Sequence, residues 1–452
     1  MSAMIVLFMC HACGGGGGGT PAGSNSTTGT TTGTTTGTTT GTTTGTTTGT
    51  TTGTTTGTTT GTTTGTTTGT TTGTTTGTTT GTTSNPSAGE LAGKSLSNQQ
   101  CTGSDKPPLT TLPMAQDDFA FILPYGLMVG GHVTPVDHQY FSPTNFDSAP
   151  GTYPVFAMAD SFLHGITTRT HSGQGPYKSQ TVTDYRMVFS LSCHLLYYYD
   201  LVNELAPGLQ EQLNASGGKL AVRAGQLVGR IGNQTLDFAV WDMDKPLTTF
   251  IVPKHYDREA WKLYTADPLD YYDAPTKAKA LAKYIRTAAP VSGRIDFDQD
   301  NRLIGNWFAE NSDGTTTGYD GTGNGEYWVT HLAFAPHFLD TSRFIISIGN
   351  WPKPAGASQF ISVEGSPDPA NVEPATGLVK YTLANFEQRV QGQTWNGKSM
   401  PGGAISIVAQ AGVKGCMLVQ MLGAREIKAE AFPDLACTAV TGFTAAAQKY
   451  IR

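Results

Sequence analysis

From Thr27 to Thr83 the chain repeats Thr-Thr-Thr-Gly, with Gly at every fourth position from Gly29 to Gly81. No apolar residue occurs in this run, so no burial can offset the entropy of ordering it. Any hydrophobic core must come from the residues C-terminal to it. The repeat reads as a disordered linker, loose at each Gly and stiffened between them by β-branched Thr, with a mean reach of about 40 Å for a coil of that length.

The segment before it, MSAMIVLFMCHAC, has an apolar centre from Met4 to Met9 and ends in Ala12-Cys13 before a Gly tract. A short apolar run, a small residue and a Cys form a lipoprotein-type signal, with Cys13 as the lipidated residue. The run falls short of the roughly 20 apolar residues that span a bilayer. Residues 1–13 are thus the signal and residues 14–105 the linker of an exported protein. Such a protein is held by a lipid anchor in the membrane, in the cell envelope, at the outer membrane or cell surface. Four further cysteines, Cys101, Cys193, Cys416 and Cys437, make an even count, which in an exported chain points to disulfides. Cys416–Cys437 is the favoured pairing because both lie at the ends of apparent strands, and Cys101–Cys193 then follows by default. The net charge of −6 comes with no basic run, which argues against a nucleic-acid partner.

The stretch Val222–Trp241, VRAGQLVGRIGNQTLDFAVW, reads as a strand, a Gly-bearing turn and a second strand. Leu236, Phe238 and Val240 alternate with Asp237 and Ala239, which puts Asp237 on the face opposite the apolar residues. This hairpin resembles the closing one of the lysostaphin-type zinc endopeptidases, the duplicated hybrid motif fold that cuts peptidoglycan cross-bridges. In that family a V..G..IG..G run leads into His-Leu-His-Phe, where this chain has Thr235, Leu236, Asp237 and Phe238. Tyr153–Ala159 (YPVFAMA) resembles the family's early strand and turn, and the order of elements matches over roughly residues 115–242. The resemblance implies an antiparallel β-sheet domain over residues 106–255.

It also implies where the chemistry would lie. The family's first zinc pair, a His and an Asp after a Gly-rich approach, aligns with His132 and Asp137 in Gly130-Gly131-His132-Val-Thr-Pro-Val-Asp137-His138. The Asp comes one residue late, which a bulge at Pro135 would correct. The third ligand falls on Asp237, and the two catalytic histidines fall on Thr235 and Asp200. Three of five positions have changed. One imidazole and two carboxylates would suit manganese or calcium better than zinc. His138, His164, His171 and His194 lie nearby, with His194 read as a core residue. The leading expectation is a degenerate, non-catalytic binding or scaffolding module for cell-wall glycan or peptide, or for another envelope protein. A divalent-metal hydrolase built on His132, Asp137 and Asp237, with Asp200 and Thr235 assisting, is the alternative, and a structural surface protein the third reading.

Residues 256–290 read as a connector with a helix from about Pro275 to Thr287, whose apolar stripe is Ala278, Leu281, Ala282 and Ile285. Residues 291–452 read as a second antiparallel β domain, a barrel or sandwich, with eight or nine strands beginning at Arg294–Phe297. Gly305-Asn-Trp307 is similar to the Gly-x-Trp strand of lipocalin-type barrels. Asp296, Asp298 and Asp300 are read as a β-turn rather than a calcium loop, since Asn301 and Trp307 occupy its Gly and Glu positions. His331 and His337 are read as structural, and a helix is expected from Thr444 to Ile451. The fold class is mainly β.

Overall fold

The computed structural model describes the Thr pairs of the repeat as backbone, and residues 86–452 apart from 174, 311–326, 353–354 and 364. The signal segment and Cys13 lie outside the described residues. In the repeat, which belongs to a separate unit spanning residues 15–92, each Thr pair is a two-residue strand. Pairs four repeats apart are paired in parallel, Thr27 opposite Thr43 and Thr43 opposite Thr59. This departs from the unstructured linker expected. The expectation considered only apolar burial, whereas an identical repeat supplies an in-register main-chain partner to every β-prone Thr pair. A helix, α1 (Ala88–Leu96), falls within the rest of the predicted linker.

The first β domain is built on β1 (Phe119–Leu123), β2 (Gln139–Pro143), β3 (Tyr153–Phe156), β4 (Ser161–Ser172), β5 (Thr181–Ser190), β6 (Leu195–Val202), β7 (Glu204–Leu205), β8 (Leu220–Val222), β9 (Leu227–Ile231), β10 (Leu236–Asp242) and β11 (Thr265–Ala266). The main sheet runs β1-β2-β10-β6-β5-β4-β8, with β11 on β10, and a small sheet runs β3-β9-β7. The core lies where Phe141, Met187, Phe189, Tyr197, Tyr199, Leu236, Phe238 and Val240 meet Val155, Val228 and Ile231. The expected Val222–Trp241 hairpin is not one. Its two strands belong to different sheets, because β9 pairs with β3 and β7 while β10 pairs with β2 and β6. Gly232 makes that change of sheet possible, since a Cβ there would lie 1.9 Å from the Ala149 carbonyl oxygen.

The connector helix, α3 after α2 (Leu209–Ala215), covers only Ala274–Leu281. Asp273 caps it through the Thr276 N–H, and Pro275 sits in its first turn. Its buried residues are Thr276 and Ala280, while Leu281 of the expected stripe is 44% exposed.

The second domain is a closed antiparallel barrel in the order β12 (Gly305–Ala309), β13 (His331–Pro336), β14 (Phe344–Pro352), β15 (Ala355–Ser362), β16 (Leu378–Ala384), β20 (Gly415–Gly423), β21 (Glu426–Pro433) and β22 (Gln448–Ile451). A three-stranded excursion, β17 (Phe386–Val390), β18 (Gln393–Thr394) and β19 (Ile405–Ala409), interrupts it. Side chains including Trp307, Phe334, Tyr381 and Met417 fill the interior. Arg294–Phe297 is not a strand, and Thr444–Ile451 is not a helix. There β22 bridges β12 and β21 and closes the ring. The Arg452 guanidinium stacks 4.0 Å from the Trp307 ring centre and donates to the carbonyls of Ile304, Gln299 and Arg302. Asp298 accepts from the Asn306 N–H at 2.8 Å and Asp296 from Arg294 at 2.8 Å, so both acids serve internal bonds. His337 likewise accepts the Leu339 N–H at 3.1 Å.

The two domains meet within one compact unit. The loop before β2 is held by Gln359 of β15, which exchanges two 3.0 Å hydrogen bonds with the Gly130 backbone. Trp395 of the excursion packs on Phe121, ring centres 5.4 Å apart. Both expected disulfides are present, Cys101–Cys193 and Cys416–Cys437.

Candidate functional site

Strands β4, β5, β6 and β10 turn one face to the core and gather polar residues on the other. Asp237, Tyr198, Asp200, Asp184, Arg186, Arg169 and His171 share that second face. Their register brings Asp200 directly opposite Asp237, Asp237 opposite Tyr140, and Arg169 opposite Asp184. Two buried carboxylates paired across neighbouring strands repel each other, so the fold is stable only if cations meet them.

Those cations are side chains of this chain. The imidazole of His138 lies between two acids, Nδ1 3.3 Å from Asp137 Oδ1 and Nε2 3.3 Å from Asp237 Oδ2. Trp261 donates its indole N–H to Asp137 at 2.7 Å, and the Thr235 hydroxyl donates to Asp237 at 3.3 Å. Arg169 bonds Asp200 and also reaches Asp184 at 3.2 Å. His171 Nε2 meets the other Asp184 oxygen at 2.7 Å. Lys262, itself buried, donates to Thr134 at 3.2 Å and lies 3.5 Å from Glu259.

Protonation is set by these neighbours. Burial pushes the Asp237 carboxyl up to about 7, the His138 charge opposing the shift and Asp200 adding to it. Burial penalises the His138 cation, but Asp237 and Asp137 outweigh it and hold its pKa above the ordinary value. Asp137 is also penalised by burial, yet His138 and Lys262 keep it well below the usual carboxylate range. His132 is pushed down to about 3 by loss of water, with the charges of His138 and Lys262 adding.

All five positions that the resemblance marks, His132, Asp137, Asp200, Thr235 and Asp237, therefore lie in or beside one cluster. They do not surround a metal position. Among the described residues no group of three or more His, Cys, Asp or Glu is arranged to hold a metal ion. His138 lies between Asp137 and Asp237, and the His132 ring packs edge-on against it with centres 5.4 Å apart. The supposed bulge at Pro135 is absent too. Residues 128–138 form a loop with one bridge, Val129–His132, and strand β2 starts at Gln139. As placed, the His138 ring fills the space between Asp137 and Asp237, so these side chains leave no open metal position between them.

Sequence reasoning missed Arg169, Asp184, Arg186 and Trp261, whose roles depend on cross-strand register and a distant helical turn. The signal for His138 was its adjacency to Asp137. His194 is no core residue. It occupies the turn between β5 and β6 and meets Asp244 at 2.7 Å.

No family model matches the chain, and no curated protein matches it. Among solved structures, a zinc containing peptidase from Vibrio cholerae is similar over 31% of this chain and 39% of that one, at 16% identity and a TM-score of 0.22. The likeness thus spans well under half of either chain.

Proposed function

We infer that the first β domain is a non-hydrolytic binding module of an exported envelope protein, and that its polar sheet face takes cell-wall peptide or glycan. The observation that carries this reading is His138 between Asp137 and Asp237. Where a hydrolytic site would concentrate a metal's charge, this cluster uses an imidazole and the Arg169 guanidinium. The groups that would have to move protons are also engaged, Asp200 with Arg169 and Thr235 with Asp237. Losing one positioned acid–base group costs about 10²–10⁴-fold in rate. Trp261, the half-buried ring beside the buried Tyr198–Trp241 stack, offers an aromatic surface of the kind that sugars and peptides pack on.

Export through the signal at residues 1–13, a lipid on Cys13 and display on the Thr-Gly segment complete the proposal. Two disulfides suit an oxidising compartment. No described helix is long and apolar enough to cross a membrane. The test is co-sedimentation of the full chain with isolated cell wall, followed by assay of the released wall fragments with zinc, manganese or calcium added in turn. Pelleting without release supports the reading. Release that a chelator stops makes the metal hydrolase the answer, and neither pelleting nor release leaves another envelope protein or a structural role.

A further inference from the structure

We propose that Arg186 is the docking point for a carboxylate group of the ligand, a proposal that deepens the binding reading above and rests on it. Arg186 lies on β5 where pairing with β6 shifts register between Tyr185 and Met187. Its guanidinium carbon is 4.5 Å from the centre of the Tyr198 ring and 4.6 Å from that of Trp261. Both rings lie within cation–π distance of the guanidinium and hold it in place, while its N–H groups stay free to donate in the guanidinium plane.

The neighbouring cations all have acids of their own. His138 meets Asp137 and Asp237, Arg169 and His171 meet Asp184, and Lys262 meets Glu259. Arg186 forms no hydrogen bond or ion pair with any described residue, although the charges of Asp137 and Glu259 act on it. A second observation points the same way. The indole N–H of Trp241, which is 1% exposed and stacked on Tyr198, has no acceptor among the described residues. A buried donor without an acceptor is costly, and both groups contact the Tyr198 ring.

An excess of fixed donors calls for an oxygen acceptor, and a planar guanidinium edge matches a carboxylate through two parallel bonds. A single negative charge suits the place better than a dianion, because Asp137 and Glu259 would repel the second charge. A peptide C-terminus and an acidic sugar both present this group, and the experiment separates them.

The full chain is titrated with four probes: an acetylated alanyl-alanine with a free C-terminus, its amide, N-acetylmuramic acid and N-acetylglucosamine. Tryptophan fluorescence reports binding. The peptide acid is expected to bind at least about tenfold more tightly than its amide, the size of a charge-assisted contact. Arg186→Gln should erase that preference, and Arg186→Lys, which keeps the charge but not the fork, should lose most of it. The same preference in the sugar pair instead of the peptide pair would assign the carboxylate to the glycan and still support Arg186. Equal binding of acid and neutral probes overturns the proposal, as does an acid preference that survives Arg186→Gln. If wall pelleting persists under either result, only the Arg186 assignment fails. If the wall does not pellet the chain and no probe binds, the binding reading fails with it.

Discussion

Asp237 and His138 face each other across the gap between β10 and the loop before β2, with Oδ2 and Nε2 3.3 Å apart and both side chains nearly free of solvent. The carboxyl is pushed up to about 7 and the imidazole is held above its ordinary range, so each supplies what the other lacks. This pair organises the polar face of the sheet, with Asp137 completing it on the other side of the ring.

Removing one partner leaves the others buried without compensation. His138→Ala is expected to cost about 3 kcal/mol, because Asp137 and Asp237 then lose their shared cation. Asp237→Asn alone should cost less, since it removes an acid that is already hard to ionise. The double variant should be more stable than the sum of the single losses predicts, because the two positions are coupled. Urea unfolding of the three variants checks this, and additive losses would count against a direct pair.

The pair also sets a pH dependence with a defined sign. A group whose pKa is raised by folding stabilises the fold fully below its unfolded value, and the contribution fades as pH rises through the folded value. Asp237 therefore contributes less as pH climbs from about 4 to about 7, and the His138 contribution fades as pH rises from about 6.5 through its own raised pKa. Buried histidines work in the other direction: His331 and His337, pushed down to about 3 by burial, lose their contribution as pH falls below about 6.5. The two trends oppose each other, so the quantity to measure is a difference. Between pH 5 and 8.5 the melting temperature of Asp237→Asn should approach that of the wild type as pH rises. A constant gap across that range would contradict it.

Arg452 holds the barrel shut. It stacks on Trp307, bonds three carbonyls and lies 3.7 Å from buried Asp298, whose carboxyl burial pushes up to about 6 against the pull of this Arg. Arg452→Ala is expected to destabilise the barrel by about 3 kcal/mol, because it strands both the carbonyls and the acid. Arg452→Lys should recover only part of that loss, since an ammonium cannot stack or fork. Guanidinium unfolding reads both, and equal stability of Lys and Arg would contradict the stacked role.

These residues also mark how far the sequence could be read. The alternation of Leu236, Phe238 and Val240 with Asp237 was legible, because a period of two survives in a half-buried strand. So were both disulfides and the positions of most barrel strands. The closing strand was not. Ala445, Ala446 and Ala447 favour helix locally, but the open edges of β12 and β21 need a partner, and tertiary pairing wins. The site was half legible. His132, Asp137 and Asp237 could be aligned by motif, whereas Arg169 opposite Asp184 depends on hairpin register that no short motif encodes. The Thr-Gly ladders were illegible for a further reason, since they rest on main-chain pairing and not on any apolar pattern.

On this sheet face His138 stands between Asp137 and Asp237, and Arg169 meets Asp184 and Asp200. The decisive measurement is the zinc content of the full chain after exposure to excess zinc and exhaustive dialysis, read beside Asp237→Ala. Far less than one zinc per chain is expected, with no change on substitution. One zinc per wild-type chain, lost in Asp237→Ala, would show instead that the cluster is a metal site.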